Sequence, residues 1–215
     1  QGFKGSSKIN RKRLEEAMNP KHFAISLAGE AFFYPKLAGL IKEIHKRGMT
    51  TFLVSSGQLP EKISELIRKK VMPTQFYISL NAPNKQVYNK MCNPLFKDAW
   101  ERFNKSLGIM KKMKTRRVLR LTLVRDLHMT EPENYAKLIK KAQVDWVEVK
   151  AFMSVGSSRQ RWGYERMPLH HEVKEFAGKI AKHAGLRILD EKKESRVVLL
   201  GKSRKNLKLN LFKGT

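Results

Sequence analysis

The sequence predicts an α/β protein built as a partial TIM-type (β/α) barrel, with parallel strands inside and helices outside. Three observations point there: short β-rich runs alternate with amphipathic helical patterns, successive strands carry polar residues on one face, and their C-terminal ends are rich in small polar residues. The runs are "HFAISL", "TTFLVSS", "QFYISLNA", "RVLRLTLV" and "WVEVKAFM", followed by "RVVLLGK" and "LKLNLF". Between them lie "YPKLAGLIKEIHKRG", "PEKISELIRKK", "FKDAWERFNKSLGIMKKM", "EPENYAKLIKKA" and "HHEVKEFAGKIAKHAG". In the first of these, Leu37, Leu40, Ile41 and Ile44 share a face and Gly48 stands where a helix ends; Pro60 opens the second at a first-turn position. Strand and helix in alternation imply βαβ units with right-handed crossovers.

Period-two counting groups Thr51 with Ser55, Tyr77 with Ser79 and Asn81, Arg120 with Thr122, and Glu148 with Lys150. Buried between helices on both sides, each such group would cost roughly 1–3 kcal/mol unless paired. A barrel with a polar lumen removes that cost, and sites in such folds lie at the C-terminal strand ends. Those ends read "LAGE", "SSG", "NAP", "VRD" and "KAFM".

The chain has 215 residues and 41% apolar content, enough for one domain, 1–215, with a substantial core. It shows neither a bilayer-length apolar run nor a signal peptide, so a soluble, cytoplasmic protein is expected. One cysteine, Cys92, excludes an internal disulfide and a thiolate metal site made by this chain alone. Lys and Arg total 45 against 19 Asp and Glu, a formal charge of +26. That imbalance suits a nucleic-acid partner; a lysine-rich background on helix faces is the ordinary alternative.

Gly29-Glu30 follows the first strand, where the glycine permits close backbone approach and the carboxylate suits an ammonium group or, equally, caps the next turn. Ser55, Ser56 and Gly57, and Ser79 with Asn81, offer hydroxyl and amide groups fit for a carboxylate or ribose, or for turns. Lys150 either pairs with Glu148 or, desolvated, forms a Schiff base with a carbonyl substrate. Arg120 on its strand, with Arg159, Arg161 and Trp162 in "GSSRQRWGYER", are the candidate substrate or RNA contacts.

Taken in order, "HFAISLAGEAFFYP", "GMTTFLVSSGQLPE", "PTQFYISLNAPN", "RRVLRLTLVRDLHM", "DWVEVKAFMSVGSSR" and "MPLHHEVKEF" resemble the 4-demethylwyosine synthase family, radical S-adenosylmethionine enzymes of tRNA wybutosine biosynthesis. The resemblance covers nearly the whole chain, with a wyosine-family segment at 146–202 and a basic tail at 203–215. It implies a radical SAM barrel in which a 4Fe-4S cluster cleaves S-adenosyl-L-methionine to a 5′-deoxyadenosyl radical that attacks the methyl group of N1-methylguanosine, next to the anticodon of tRNA-Phe. Pyruvate then supplies carbons for the third ring, in lyase-type carbon-carbon chemistry. An electron donor, binding to the tRNA anticodon arm, no membrane association and a monomeric state come with it.

By position, the resemblance gives Gly29 and Glu30 to the amino group of S-adenosyl-L-methionine and Ser55, Ser79 and Asn81 to its carboxylate and ribose. On that reading Lys150 is the candidate pyruvate-facing group. The cluster cysteines are expected upstream of Gln1, so this chain alone is expected to be inactive. Ala31 replaces the family's proline after Gly-Glu, and Ser55-Ser56-Gly57 replaces Thr-Asn-Gly. A non-catalytic basic RNA-binding module on the same fold is the alternative, and a Schiff-base lyase using Lys150 a third.

Overall fold

The computed structural model describes residues 8–26, 29–205 and 207–209. Strands β1 (His22–Ile25), β2 (Thr50–Ser55), β3 (Gln75–Ser79), β4 (Arg116–Leu123) and β5 (Trp146–Ala151) pair in parallel in chain order. The sheet ends on an antiparallel hairpin, β6 (Arg187–Lys192) and β7 (Val197–Gly201), with β7 against β5, so the order is β1-β2-β3-β4-β5-β7-β6. Strands β1 and β6 are unclosed edges, which makes the barrel partial.

Outside the sheet pack α2 (Leu37–Lys46), α3 (Pro60–Arg68), α4 (Lys85–Cys92), α5 (Ala99–Met110), α6 (Pro132–Ala142) and α7 (His170–Ala184), after an N-terminal α1 (Arg11–Met18). Their ends follow local rules. Pro60 and Pro132 begin α3 and α6, the Asn84 side chain caps α4 by accepting from Val87 N at 2.9 Å, and Gly48 and Gly185 leave α2 and α7 at φ +69° and +70°. The convex face of the sheet (Leu53, Phe76, Ile78, Leu119, Leu121, Val147 and Val149) is fully buried against helix residues such as Ile41, Ile63, Phe103 and Ile180. Each contributes roughly 1.5–3 kcal/mol by its burial. The concave face has its own apolar floor, in which Tyr77, Val118, Trp146 and Leu189 meet Phe52, Val54 and Leu199.

The structure corrects several expectations. The terminal strands are antiparallel, because β7 returns from a hairpin instead of a helical crossover. Leu207–Leu209 form no strand, and the rest of "LKLNLF" lies outside the described residues. Strand β6 escapes period-two counting because it is a charged edge on which Leu189 alone is buried, and α1 escapes because it buries no residue. Leu40 is exposed, unlike Leu37, Ile41 and Ile44. Thr51 and Ser55 point outward with Leu53, away from the lumen: Thr51 Oγ1 lies 2.8 Å from His45 Nε2 on α2 and accepts from Thr74 N at 3.1 Å. Their polarity serves the junction between strand and helix.

One buried group ties stability to acidity. His128 is 1% exposed, and its Nδ1 accepts from Val124 N at 3.2 Å, so the ring is neutral in the fold. Burial pushes its pKa down from 6.5 to about 4. The stability gained by keeping it neutral is complete above the unfolded-state value and is lost as pH falls through the folded-state value, a difference of about 3 kcal/mol at the acid end. Urea unfolding of His128→Asn at about pH 7 and pH 4.5 is expected to show an acid loss smaller than that of the parent by about 2–3 kcal/mol; an unchanged acid limb would place the sensitivity elsewhere.

Candidate active site at the strand ends

Two sites stand out, one over the C-terminal strand ends and one inside the barrel. The first is a cavity of about 450 Å³, of the size that small-molecule ligands occupy, over the ends of β1, β2 and β3. Glu30, Ser56, Gln58, Ser79 and Asn81 supply its polar wall, and Phe33, Met91, Leu95 and Phe96 its apolar one. Gly29 takes φ +68°, a conformation that costs glycine nothing, and turns the chain into Glu30. The Glu30 carboxylate then does two things at once. Its Oε1 accepts from Phe32 N at 3.3 Å, capping the short 3₁₀ turn of Ala31–Phe33, and its Oε2 accepts from Ser56 N at 2.8 Å and Ser56 Oγ at 2.5 Å. Capping and pocket lining are thus a single arrangement, which cross-links the first two strand-end loops.

Ser79 and Asn81 line this cavity together with Glu30, as their register predicts. Ser55 does not: it is 3% exposed, and its hydroxyl accepts from Gly57 N at 2.9 Å. Its neighbour Ser56 takes the place in the wall. Gly57 itself has φ +76°, which strains any other residue, and a Cβ there would crowd Ile78 Cγ2 and Phe103 Cδ2 at 3.2 Å each.

Sequence reasoning missed the far wall, which comes from α4. Gln58 Nε2 donates to Tyr88 Oη at 2.6 Å and to Ala99 O at 3.0 Å, which leaves Gln58 Oε1 buried without a partner among the described residues. Burial raises the Tyr88 hydroxyl well above its ordinary range, with Cys92 and Glu30 adding to the shift. Burial likewise pushes the Cys92 thiol up, against a smaller opposing pull from Asn81 and Arg161. The only sequence signal for this wall was "NKQVYNKMC", an Asn cap followed by Val87, Tyr88 and Met91 at helical spacing.

Arg161 reaches the same cavity, fixed by donation from Nη2 to Met91 O at 2.6 Å and by stacking 4.5 Å over Trp162, whose ring meets Phe152 edge-on. Arg159 stays exposed, with Nε donating to Ser154 O at 3.2 Å and its guanidinium 5.5 Å from the Tyr164 ring.

The second site is the lumen. Arg120 Nε donates to Glu148 Oε1 at 2.8 Å, Tyr77 Oη donates to Glu148 Oε2 at 3.2 Å, and the Arg120 guanidinium sits 4.6 Å over the Tyr77 ring. Burial, then Glu148, raises the Tyr77 hydroxyl above its ordinary range. Glu148 is therefore engaged by Arg120, and the pairing of Glu148 with Lys150 allowed by their spacing is not formed. Lys150, two residues further along β5 on the same face and half-buried, forms no ion pair among the described residues. Arg120, a candidate RNA contact by sequence, lies inside the barrel.

The orphaned Gln58 oxygen, the carboxylate and the hydroxyl and amide groups, facing an apolar wall, suit a ligand with an ammonium group, a ribose and a flat base, as in S-adenosyl-L-methionine. A 4Fe-4S cluster does not fit these residues. Among the described residues no three histidine, cysteine or acidic side chains gather as a metal site, and the single cysteine of the sequence cannot supply three thiolates. No helix among the described residues is long and apolar enough to cross a membrane.

Residues 141–202 match the family model for wyosine base formation. The S-adenosyl-L-methionine-dependent tRNA 4-demethylwyosine synthase of Pyrococcus horikoshii is 48% identical over 200 residues, which cover 93% of this chain and 58% of that protein. Among solved structures, TYW1 with a lysine-pyruvate adduct bound superposes with a TM-score of 0.80 at 37% identity, covering 90% of this chain and 60% of the other. Archaeal TYW1 gives a TM-score of 0.74 at 34% identity over 91% of this chain and 61% of the other. The chain thus spans about 60% of the length of each of these three proteins. Over most of its length this chain is similar in sequence to the tRNA 4-demethylwyosine synthases, and the partial barrel that carries the strand-end cavity is similar to the solved TYW1 structures.

Proposed function

We propose that this chain is the cofactor- and pyruvate-handling barrel of an enzyme that converts N1-methylguanosine, beside the anticodon of tRNA-Phe, into the tricyclic 4-demethylwyosine base. The observation that carries the proposal is Lys150: a half-buried lumenal lysine without a carboxylate partner among the described residues, in a chain 37% identical to a protein solved with a lysine-pyruvate adduct. Nζ of Lys150 attacks the pyruvate carbonyl carbon, the C–N bond forms and water leaves, giving an imine that serves as an electron sink for carbon-carbon bond change beside it. Arg120 and Tyr77 donate to the two carboxylate oxygens of Glu148, so Glu148 is engaged by them and not by Lys150.

When bound, S-adenosyl-L-methionine supplies a 5′-deoxyadenosyl radical. Glu30 would accept from its ammonium group, and Ser79, Asn81 and Gln58 would meet its carboxylate and ribose; Arg161 closes the rim. The radical's iron-sulfur source lies with residues other than these 215. The proposal includes tRNA bound by its anticodon arm, an external electron donor, a monomeric enzyme and action in the cytoplasm.

The test is nucleoside mass spectrometry after the full-length polypeptide is incubated with tRNA-Phe carrying N1-methylguanosine, S-adenosyl-L-methionine, pyruvate and a reductant. The tricyclic base is expected. Intact N1-methylguanosine on tRNA that still binds would favour the non-catalytic RNA-binding module, the reading to which the single cysteine lends weight. Glu30→Gln is expected to weaken S-adenosyl-L-methionine binding roughly tenfold to a hundredfold in equilibrium dialysis, since a hydrogen bond to a charged group is worth about 1.5–3 kcal/mol. Unchanged affinity would leave Glu30 a turn cap only.

A further inference from the structure

A lysine-rich surface lies at the opposite end of the barrel from the strand-end cavity. Helices α2, α3, α5 and α6 run antiparallel to the strands, so their C-termini gather around the strand N-termini. Two open depressions there, of about 930 and 790 Å³, share Thr115 and Arg116 and form one continuous groove. Lys42, Lys46, Lys70, Lys114 and Lys208 line one lobe. Lys140, Lys202 and Lys205 line the other. All of these lysines are exposed, and none forms an ion pair among the described residues. The one carboxylate in the groove, Asp145, is occupied by Arg117, which donates from Nη2 at 3.0 Å and from its backbone N at 2.8 Å.

Complementing helix dipoles explains cations in a last turn, such as Lys46 and Lys140. It does not explain Lys70, Lys114, Lys202, Lys205 and Lys208, which lie outside the helices. The groove also has no exposed aromatic residue, whereas exposed Phe33, Tyr34 and Tyr164 stand at the other end with Arg159 and Arg161. Aromatic platforms read unstacked bases, while a row of ammonium groups without them reads phosphates. A membrane surface would call for apolar side chains among the cations, and the groove exposes only Leu209.

We infer that this groove is a second RNA-binding surface, which takes the phosphate backbone of duplex RNA, separate from the end where a single base would be presented. The inference does not depend on the proposed reaction.

The experiment uses an RNA duplex of about 16–20 base pairs without modified bases. Its affinity is measured across a salt series for the parent, for the groove variant Lys114→Gln/Lys140→Gln/Lys205→Gln, and for the equally discharged Lys36→Gln/Lys90→Gln/Lys97→Gln at the other end. The groove variant is expected to bind about tenfold or more weakly and to lower the slope of log K against log salt by about 2–3, with little change in the control. Equal weakening in both variants would reduce the effect to net charge. No weakening in the groove variant, or a parent without salt dependence, overturns the inference. Lysine-dependent capture by phosphatidylserine vesicles with no duplex binding would assign the groove to a membrane surface instead. Circular dichroism melts of the three proteins verify that each is folded.

Discussion

Lys150→Ala and Lys150→Arg are expected to abolish the pyruvate adduct that borohydride traps on the parent protein. Arginine retains the positive charge but is not a usable nucleophile, so its failure separates covalent chemistry from electrostatic attraction of the pyruvate carboxylate. The measurement is intact-mass analysis followed by peptide mapping. Mapping is decisive because Val197 is in register with both Lys150 on β5 and Lys192 on β6, which puts two lysines at one level of the sheet. Lys192 is exposed whereas Lys150 is half-buried inside the barrel. An adduct found on Lys192, or one that persists in Lys150→Ala, would end the role proposed for Lys150.

The second large effect concerns Phe103. Its ring is fully buried at the centre of a cluster, 5.4 Å from Tyr88 and 5.8 Å from Trp100, and it bears on the turn at Gly57. Phe103→Ala is expected to cost about 3–5 kcal/mol, a fall in Tm of roughly 6–20 °C for a domain of this size. The effect extends to the cavity, because Tyr88 and Gln58 hold each other through the bond at 2.6 Å and Tyr88 rests on Phe103. S-adenosyl-L-methionine binding is therefore expected to weaken in Phe103→Ala and to recover largely in Phe103→Leu. A Tm change below about 2 °C would mean that the cluster closes over the lost ring, as sites able to collapse do.

Much of the fold was legible because burial repeats at the period of each element. Ile41 and Ile44, Ile63 and Leu66, or Val147 and Val149 announce their helices and strands whatever surrounds them. Elements that bury little sent no such signal: α1 buries nothing, and β6 buries one side chain. Within the site, Glu30, Ser79 and Asn81 were legible from their place at strand ends. Ser55 was misread because period two separates the faces of a strand without saying which face meets the helices. Period two placed Arg120 on a polar face, but its pairing with Glu148 was not legible, because charge alone does not name a partner on another strand.

The sequence by itself determined the alternation of strands and helices, the polar strand ends, the excess of positive charge and the ordered blocks shared with 4-demethylwyosine synthases. These are local or compositional properties, written in spacing and residue type. Only the tertiary structure decided that Glu148 pairs with Arg120 and not with Lys150, that α4 brings Tyr88 and Cys92 to face Glu30, and that lysines from distant helices and loops, without ion pairs among the described residues, line one groove. The reason is geometric: such contacts join residues far apart in the chain, and what a charged or polar group does depends on what stands within a few ångströms of it, which spacing along the chain does not specify.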